Sequence, residues 1–208
     1  MGLARLITAG FSVPQGFVIT SPAFNPSPPY ISKSLKYEII QKYRQLQIPG
    51  QFPVAVRSSA SGEDQPGFSL AGQYQSVLNV RTETEFLSAV QSCRASLASK
   101  EALSYRRQHG MSRVPGRMAV IVQKMVLAQS AGVIFTANPV SGQTGQMLIN
   151  AVQGLGDKLV LGLITPDEYS ISKTDSRITH RLSGNAFVLS DKQIKELASM
   201  AQKIEALF

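Results

Sequence analysis

The chain predicts an α/β (α+β) fold in two lobes, each pairing mixed or antiparallel sheet with covering helices. Three features carry that prediction. Helical and strand patterns alternate through the first half, three apolar β-branched runs follow one another after Met118, and a capped helical pattern then runs to the end. The lobes are placed at residues 1–117 and 118–208, and 208 residues suffice for one domain or two small lobes. A hydrophobic content of 43% with 16% charged residues argues against disorder. No apolar stretch approaches the roughly 20 residues of a membrane helix, so a soluble protein is expected.

In the first lobe, Leu3, Leu6 and Ile7 fall at helical spacing and Gly10 closes the turn. Gly16 to Thr20 reads as a strand between Pro14 and Pro22, and the Pro-rich run Phe24 to Pro29 as a loop. Leu35, Ile39, Ile40, Tyr43 and Leu46 mark a helix that Pro49 stops. Val54 to Arg57 and Ser76 to Val80 are strands. Phe86, Leu87, Val90, Cys93 and Leu97 form the stripe of a further helix, which Ser99 hands on to another.

In the second lobe, MAVIVQKMV, AGVIFTA and QMLINAV predict three strands, with Asn138-Pro139 and Ser141-Gly142 between the later two. The run from Gly154 to Ile164 is ambiguous. EYSISK and RITHRL flank Asp175-Ser176 as a hairpin. Ser190 and Gln193 make a capping-box pattern ahead of Ile194, Leu197, Ala201 and Ile204.

The formal charge of +8 points to an anionic partner, and the excess sits in residues 1–117, with 13 Lys and Arg against 6 Asp and Glu. Arg106, Arg107, Arg113 and Arg117 cluster there, but with no aromatic beyond Tyr105 they read as a solvated surface, and nucleic acid is not the expected partner. The start MGLARLITAG lacks the apolar core of a secretory signal and the single Cys93 has no disulfide partner, so a cytoplasmic setting is expected. Cys93 lies on an apolar stripe, which predicts a buried thiol, and no metal ligands are predicted in the chain. His109 and His180 stand alone and read as surface side chains.

The segment VAVRSSASGED places Arg57 where an apolar strand opens into a polar loop. A guanidinium with the hydroxyls of Ser58, Ser59 and Ser61 and exposed loop amides suits a polyphosphate. Ser and Gly are also the commonest loop residues, so composition leaves a phosphate cradle and an ordinary loop both open. Glu63 and Asp64 read as a solvated pair rather than a magnesium site or general base, because adjacent loop side chains rarely converge.

Five blocks in one order carry a resemblance: VAVRSSASGED, SLAGQYQSVLNV, VIVQKMV, SAGVIFTANPVSG and QGLGDKLVLGLITPDEYSISK. Together they resemble the ATP-binding domain of the phosphoenolpyruvate synthase family, which includes pyruvate phosphate dikinase and rifampicin phosphotransferase. The resemblance implies an ATP-grasp fold, in which two lobes clamp ATP and Mg²⁺. It implies that Arg57 contacts the nucleotide phosphates and is the catalytic residue, that Ser58 and Ser59 bond phosphate or cap the loop, and that Gly72 and Gln73 belong to a turn over the phosphates. Gln123, Lys124 and Met125 match the block that seats adenine, where backbone groups can read the base edge. Thr136 is placed to reach phosphate or ribose. The PDEY run, with Asp167 and Glu168, matches a family motif to which the residues assign no chemistry.

Departures from the pattern qualify this. A lysine of the family's first helix would precede the start of the chain, and the strands with a metal-binding Glu and a Gln-x-Arg motif would follow Phe208. The Mg²⁺ ligands are therefore expected outside this chain. By resemblance the protein is an ATP-dependent phosphotransferase that phosphorylates a carrier histidine and then pyruvate or a related acceptor, with phosphohistidine and acceptor-binding domains as partners. The alternatives are a non-catalytic nucleotide-binding fragment and the ATP domain of a rifampicin phosphotransferase-like enzyme.

Overall fold

The computed structural model describes residues 2–24, 31–47, 50, 52–60, 64–65, 68–69, 74–100, 103–104, 117–139, 141–181, 183 and 187–208. Residues Arg5–Val126 form one compact unit and Leu127–Phe208 a second. The expected Phe24–Pro29 loop after its first residue, the helix following Ser99 apart from isolated positions, Gly72, Gln73, Glu63, His109, Arg106, Arg107 and Arg113 lie outside the described residues.

The chain opens with α1 (Gly2–Thr8), which ends as the sequence predicts. The Gly10 N–H donates to the Ile7 carbonyl and the Phe11 N–H to that of Leu6, each at 3.0 Å, and the left-handed φ of +81° that this double closure needs falls on the glycine. In the first unit β1 (Gly16–Ile19), α2 (Lys33–Gln47), β2 (Val54–Ala60), the two-residue β3 (Asp64–Gln65) and β4 (Phe68–Ser69), β5 (Ser76–Val80), α3 (Glu83–Ala95) and β6 (Met118–Lys124) follow in order. Helix α3 starts on a full capping box. The Thr82 hydroxyl accepts the Glu85 N–H while the Glu85 carboxylate accepts the Thr82 N–H, which satisfies two amides the helix leaves open.

Four strands form one antiparallel sheet in the order β1-β6-β2-β5. Alternation sends Val54, Val56, Val120 and Val122 to one face, where they are fully buried with Ile19, Val80, Phe86 and Val90 against α2 and α3. Tyr43 stacks on Phe86 at 4.6 Å between ring centres, joining the two helices over that sheet. Cys93 sits in the same core, as its stripe predicts.

The division between units falls later than the expected boundary at Met118. The run Met118–Lys124 reads as the opening of a new lobe because its character changes there, yet its hydrogen-bond partners are β1 and β2 of the first unit. Long-range pairing of this kind leaves no local trace in a sequence.

The second unit holds β7 (Ser130–Phe135), β8 (Gln146–Gln153), a one-turn α4 (Asp157–Val160), β9 (Asp167–Ser172), β10 (Ile178–Arg181) and α5 (Asp191–Glu205). Its sheet is an antiparallel meander, β10-β9-β8-β7. The predicted strands and hairpin are all present, and the ambiguous run contains α4. Helix α5 begins on the predicted Ser190/Gln193 box and buries Ile194, Ala198 and Ala201 against Met147, Ile149, Tyr169 and Ile171. No described helix is long and apolar enough to cross a membrane.

Candidate functional site

Of the expected site residues, Arg57, Ser59 and Gln123 share the face of the first sheet turned away from α2 and α3. On it the register sets Val18, Ile121, Arg57 and Ser76 in one row across four strands. Ser59 lies opposite Ala119 in the next row, and Gln123 lies between Gly16 and Ala55. Arg57 is exposed and has no hydrogen-bond or ion-pair partner among the described residues. A guanidinium held at the centre of a rigid strand, with its donors open, is organised to receive an oxygen-rich anion.

Arg57 does not stand at a strand end. Ser58, Ser59 and Ala60 continue β2 and pair with Val120, Ala119 and Met118, so the expected loop begins later than its composition indicates. This separates the two serines. Period-two alternation leaves Ser59 on the face of Arg57 and turns Ser58 to the other, where its hydroxyl donates to the Gln75 carbonyl at 2.9 Å.

The Gln123–Met125 segment is tied down at three points. The Gln123 side-chain amide donates to the Pro14 carbonyl at 2.9 Å, the Lys124 N–H to Gln15 at 2.8 Å and the Met125 N–H to Pro53 at 2.9 Å. The last two amides are therefore committed to the fold and not open to a base edge. Lys124 sends its ammonium over the Phe52 ring at 5.4 Å. The Met125 sulfur accepts the Asn79 N–H at 3.0 Å. Asn79 has φ of +58° at an irregularity of the β2–β5 register, so a bulge in β5 aims that amide at Met125. Composition could have flagged Asn79, since Asn is the residue after Gly that best tolerates this conformation.

Thr136 follows directly on β7 and is half-buried in the second unit. Asp167 and Tyr169 of the PDEY run both point inward and have a structural account. The Asp167 carboxylate, 1% exposed, accepts the Ser183 N–H at 2.8 Å, the Ser183 hydroxyl at 3.0 Å, the Val188 N–H at 3.0 Å and the Tyr169 hydroxyl at 3.0 Å. Burial by itself raises its pKa, but these donors outweigh it and hold the carboxyl below the ordinary value. Glu168 takes the opposite face of β9. His180 is not a free surface side chain, since its ring is edge-on to Tyr169 and Phe187 and its Nε2 lies 3.3 Å from Asp191. Among the described residues no three His, Cys, Asp or Glu converge on a point that could hold a metal ion.

Two antiparallel sheets with covering helices define an α+β fold. The model of the pyruvate phosphate dikinase AMP/ATP-binding domain matches residues 27–186, and the chain belongs to that family. Its architecture is consistent with an ATP-grasp. It is 36% identical to a phosphoenolpyruvate synthase of Aeropyrum pernix over 85% of the chain and 27% of that protein. It is 32% identical to the uncharacterized phosphotransferase YvkC of Bacillus subtilis over 100% of the chain and 30% of that protein. To a probable phosphoenolpyruvate synthase of Archaeoglobus fulgidus it is 38% identical over 73% of the chain and 23% of that protein. The chain thus spans under a third of the length of these relatives.

Proposed function

We propose that the chain binds ATP on the open sheet face of its first unit, with Arg57 on the nucleotide phosphates, as the ATP-binding part of a phosphoenolpyruvate synthase-like phosphotransferase. The observation that carries this reading is the exposed Arg57, without a partner among the described residues, at the centre of the sheet beside Ser59 and Gln123, in a chain of an AMP/ATP-binding family. The arginine supplies charge where phosphoryl transfer develops it, and strand geometry fixes its position before the ligand arrives.

In this reading Ser59 is the serine that reaches phosphate, while Ser58 acts through its bond to Gln75. Gly72 and Gln73, outside the described residues, are assigned to phosphate contact by the family resemblance alone. Gln123, Lys124 and Met125 seat the adenine, with Met125 as an apolar wall and the Gln123 side-chain oxygen as an acceptor. Thr136 contributes a further polar contact to phosphate or ribose. Mg²⁺ accompanies the ATP and neutralises its charge, and none of the described residues is assigned to it. The protein works in the cytoplasm. Within the longer enzyme, ATP phosphorylates a carrier histidine on another domain, which passes the group to pyruvate or a related acceptor.

Methyl-labelled methionine gives a direct test. Adding ATP should shift the Met125 methyl resonance and leave the buried Met147 unmoved. A shift at Met147 with none at Met125 would place the nucleotide elsewhere.

A further inference from the structure

The Met125 thioether reaches across the first sheet rather than along its own strand. Its sulfur accepts the Asn79 N–H at 3.0 Å, yet Met125 directly follows β6, Asn79 lies on β5, and β2 runs between those two strands. The side chain is therefore drawn over β2. Strand alternation puts Met125, two residues beyond Gln123, on the same face as Gln123 and Arg57, while its N–H donates to the Pro53 carbonyl at 2.9 Å, beside the start of β2. Ala55 lies on that face too, opposite Gln123. It is only 8% exposed although the face is turned away from α2 and α3, and a thioether drawn across β2 accounts for that.

This reach depends on how β5 presents the amide. The register pairs Val54 with Val80 and Val56 with Val77, which leaves Leu78 and Asn79 opposite the single residue Ala55. Asn79 absorbs the extra residue with its φ of +58°, and such a bulge turns an N–H out of the regular ladder. The Asn79 side chain is exposed, so what the position supplies is its backbone conformation. A methionine side chain has several soft torsions, and a hydrogen bond that selects one arrangement before a ligand arrives removes an ordering cost from binding. The held thioether is a flat, polarisable surface. It lies over the row of Ala55, two residues along β2 from Arg57, or about 7 Å at strand spacing. A sulfur so placed packs against an aromatic ring.

We propose that Asn79 is a positioning residue, whose left-handed backbone at the β5 bulge holds the Met125 thioether across β2 as the shelf on which the base of a nucleoside triphosphate stacks. The proposal rests on the reading that ATP binds this face with its phosphates on Arg57, and every residue it uses belongs to the first unit. The shelf makes a nucleotide bind better than bare triphosphate.

Methionine-methyl spectra and calorimetric titrations with ATP and inorganic triphosphate test this on the intact chain, on Asn79→Gly and on Asn79→Val. Glycine keeps both the left-handed conformation and the N–H, whereas a β-branched residue is strained there. Without ligand, the Met125 methyl resonance should stay in place in Asn79→Gly and move in Asn79→Val. The unsubstituted protein and Asn79→Gly should bind ATP more tightly than triphosphate. That ratio should fall about 10-fold in Asn79→Val, the order of the rotamer freedom a long side chain regains, with triphosphate affinity unchanged. Should Asn79→Val fail to fold, Met125→Leu decides, because it keeps the apolar volume, removes the sulfur acceptor and should lower the same ratio. An unmoved Met125 resonance or an unchanged ratio in Asn79→Val overturns the positioning role. An equal loss in Asn79→Gly does the same, since it assigns the effect to the asparagine side chain. Equal affinity of the unsubstituted protein for ATP and triphosphate overturns the shelf and leaves the Arg57 reading standing. Failure to bind either ligand overturns both.

Discussion

The Tyr169 hydroxyl donates to the Asp167 carboxylate at 3.0 Å from two positions along the same strand, and it accepts the Leu189 N–H at 3.1 Å. One side-chain pair thereby holds the backbone amides of Ser183, Val188 and Leu189, the last two just ahead of the Ser190 cap of α5. The PDEY run is in this sense a clamp for the helix that covers the second sheet.

Loss of the carboxylate should be felt strongly. Asp167→Asn puts an amide among four donors and should destabilise the second unit by about 2–3 kcal/mol, and Tyr169→Phe by about 1–2 kcal/mol. The two should not add, since they share one network. The sign with pH follows from the depressed carboxyl. Its stabilising contribution is complete at neutral pH and is lost as pH falls through the ordinary value of 3.8 and below. Urea unfolding between pH 3 and 7 should show an acid limb that flattens in Asp167→Asn; an unchanged limb would remove the clamp.

Much of this clamp was legible and its purpose was not. Alternation in Asp167-Glu168-Tyr169 sends the outer two side chains one way, which the strand pattern alone shows. The partners at Ser183 and Val188 come from a connection whose path no local signal gives. The same division runs through the candidate site. Arg57 stood out because a lone cation ends an apolar run, whereas the strand continuation through Ala60 depends on β6, some sixty residues later, and Ser-rich composition concealed it. Helices with strong caps or periodicity, such as α2 and α5, were readable throughout because their signals are local.

Gly132 shows a constraint that composition hides entirely. A Cβ built there would run into the Asn150 carbonyl of β8, so the two strands approach closely only because residue 132 is glycine. Gly132→Ala should cost about 1–3 kcal/mol by forcing β7 away from β8. Thermal unfolding measures it, and a variant as stable as the parent would show that the edge strand shifts freely.

Cys93 should be chemically silent in the folded protein. Burial pushes its thiol pKa up to about 11, and its Sγ lies 3.4 Å from the Val56 carbonyl and 3.3 Å from that of Gln75. The neutral thiol is the form the core accepts, so this group's contribution to stability falls as pH rises from about 9 toward 11. Iodoacetamide at pH 8 should modify Cys93 only when denaturant is present. Rapid alkylation of the native protein would mean that α3 does not seal the core.

The central claim is that Arg57 meets the phosphates of ATP. Titrating ATP with magnesium into the protein and into Arg57→Ala, with matched unfolding curves, tests it most directly. A lost hydrogen bond to a charged group is worth about 1.5–3 kcal/mol, which predicts at least a 10-fold weaker affinity in the variant and a smaller change in Ser58→Ala, whose hydroxyl faces the other way. Equal affinity of the protein and Arg57→Ala would contradict the account.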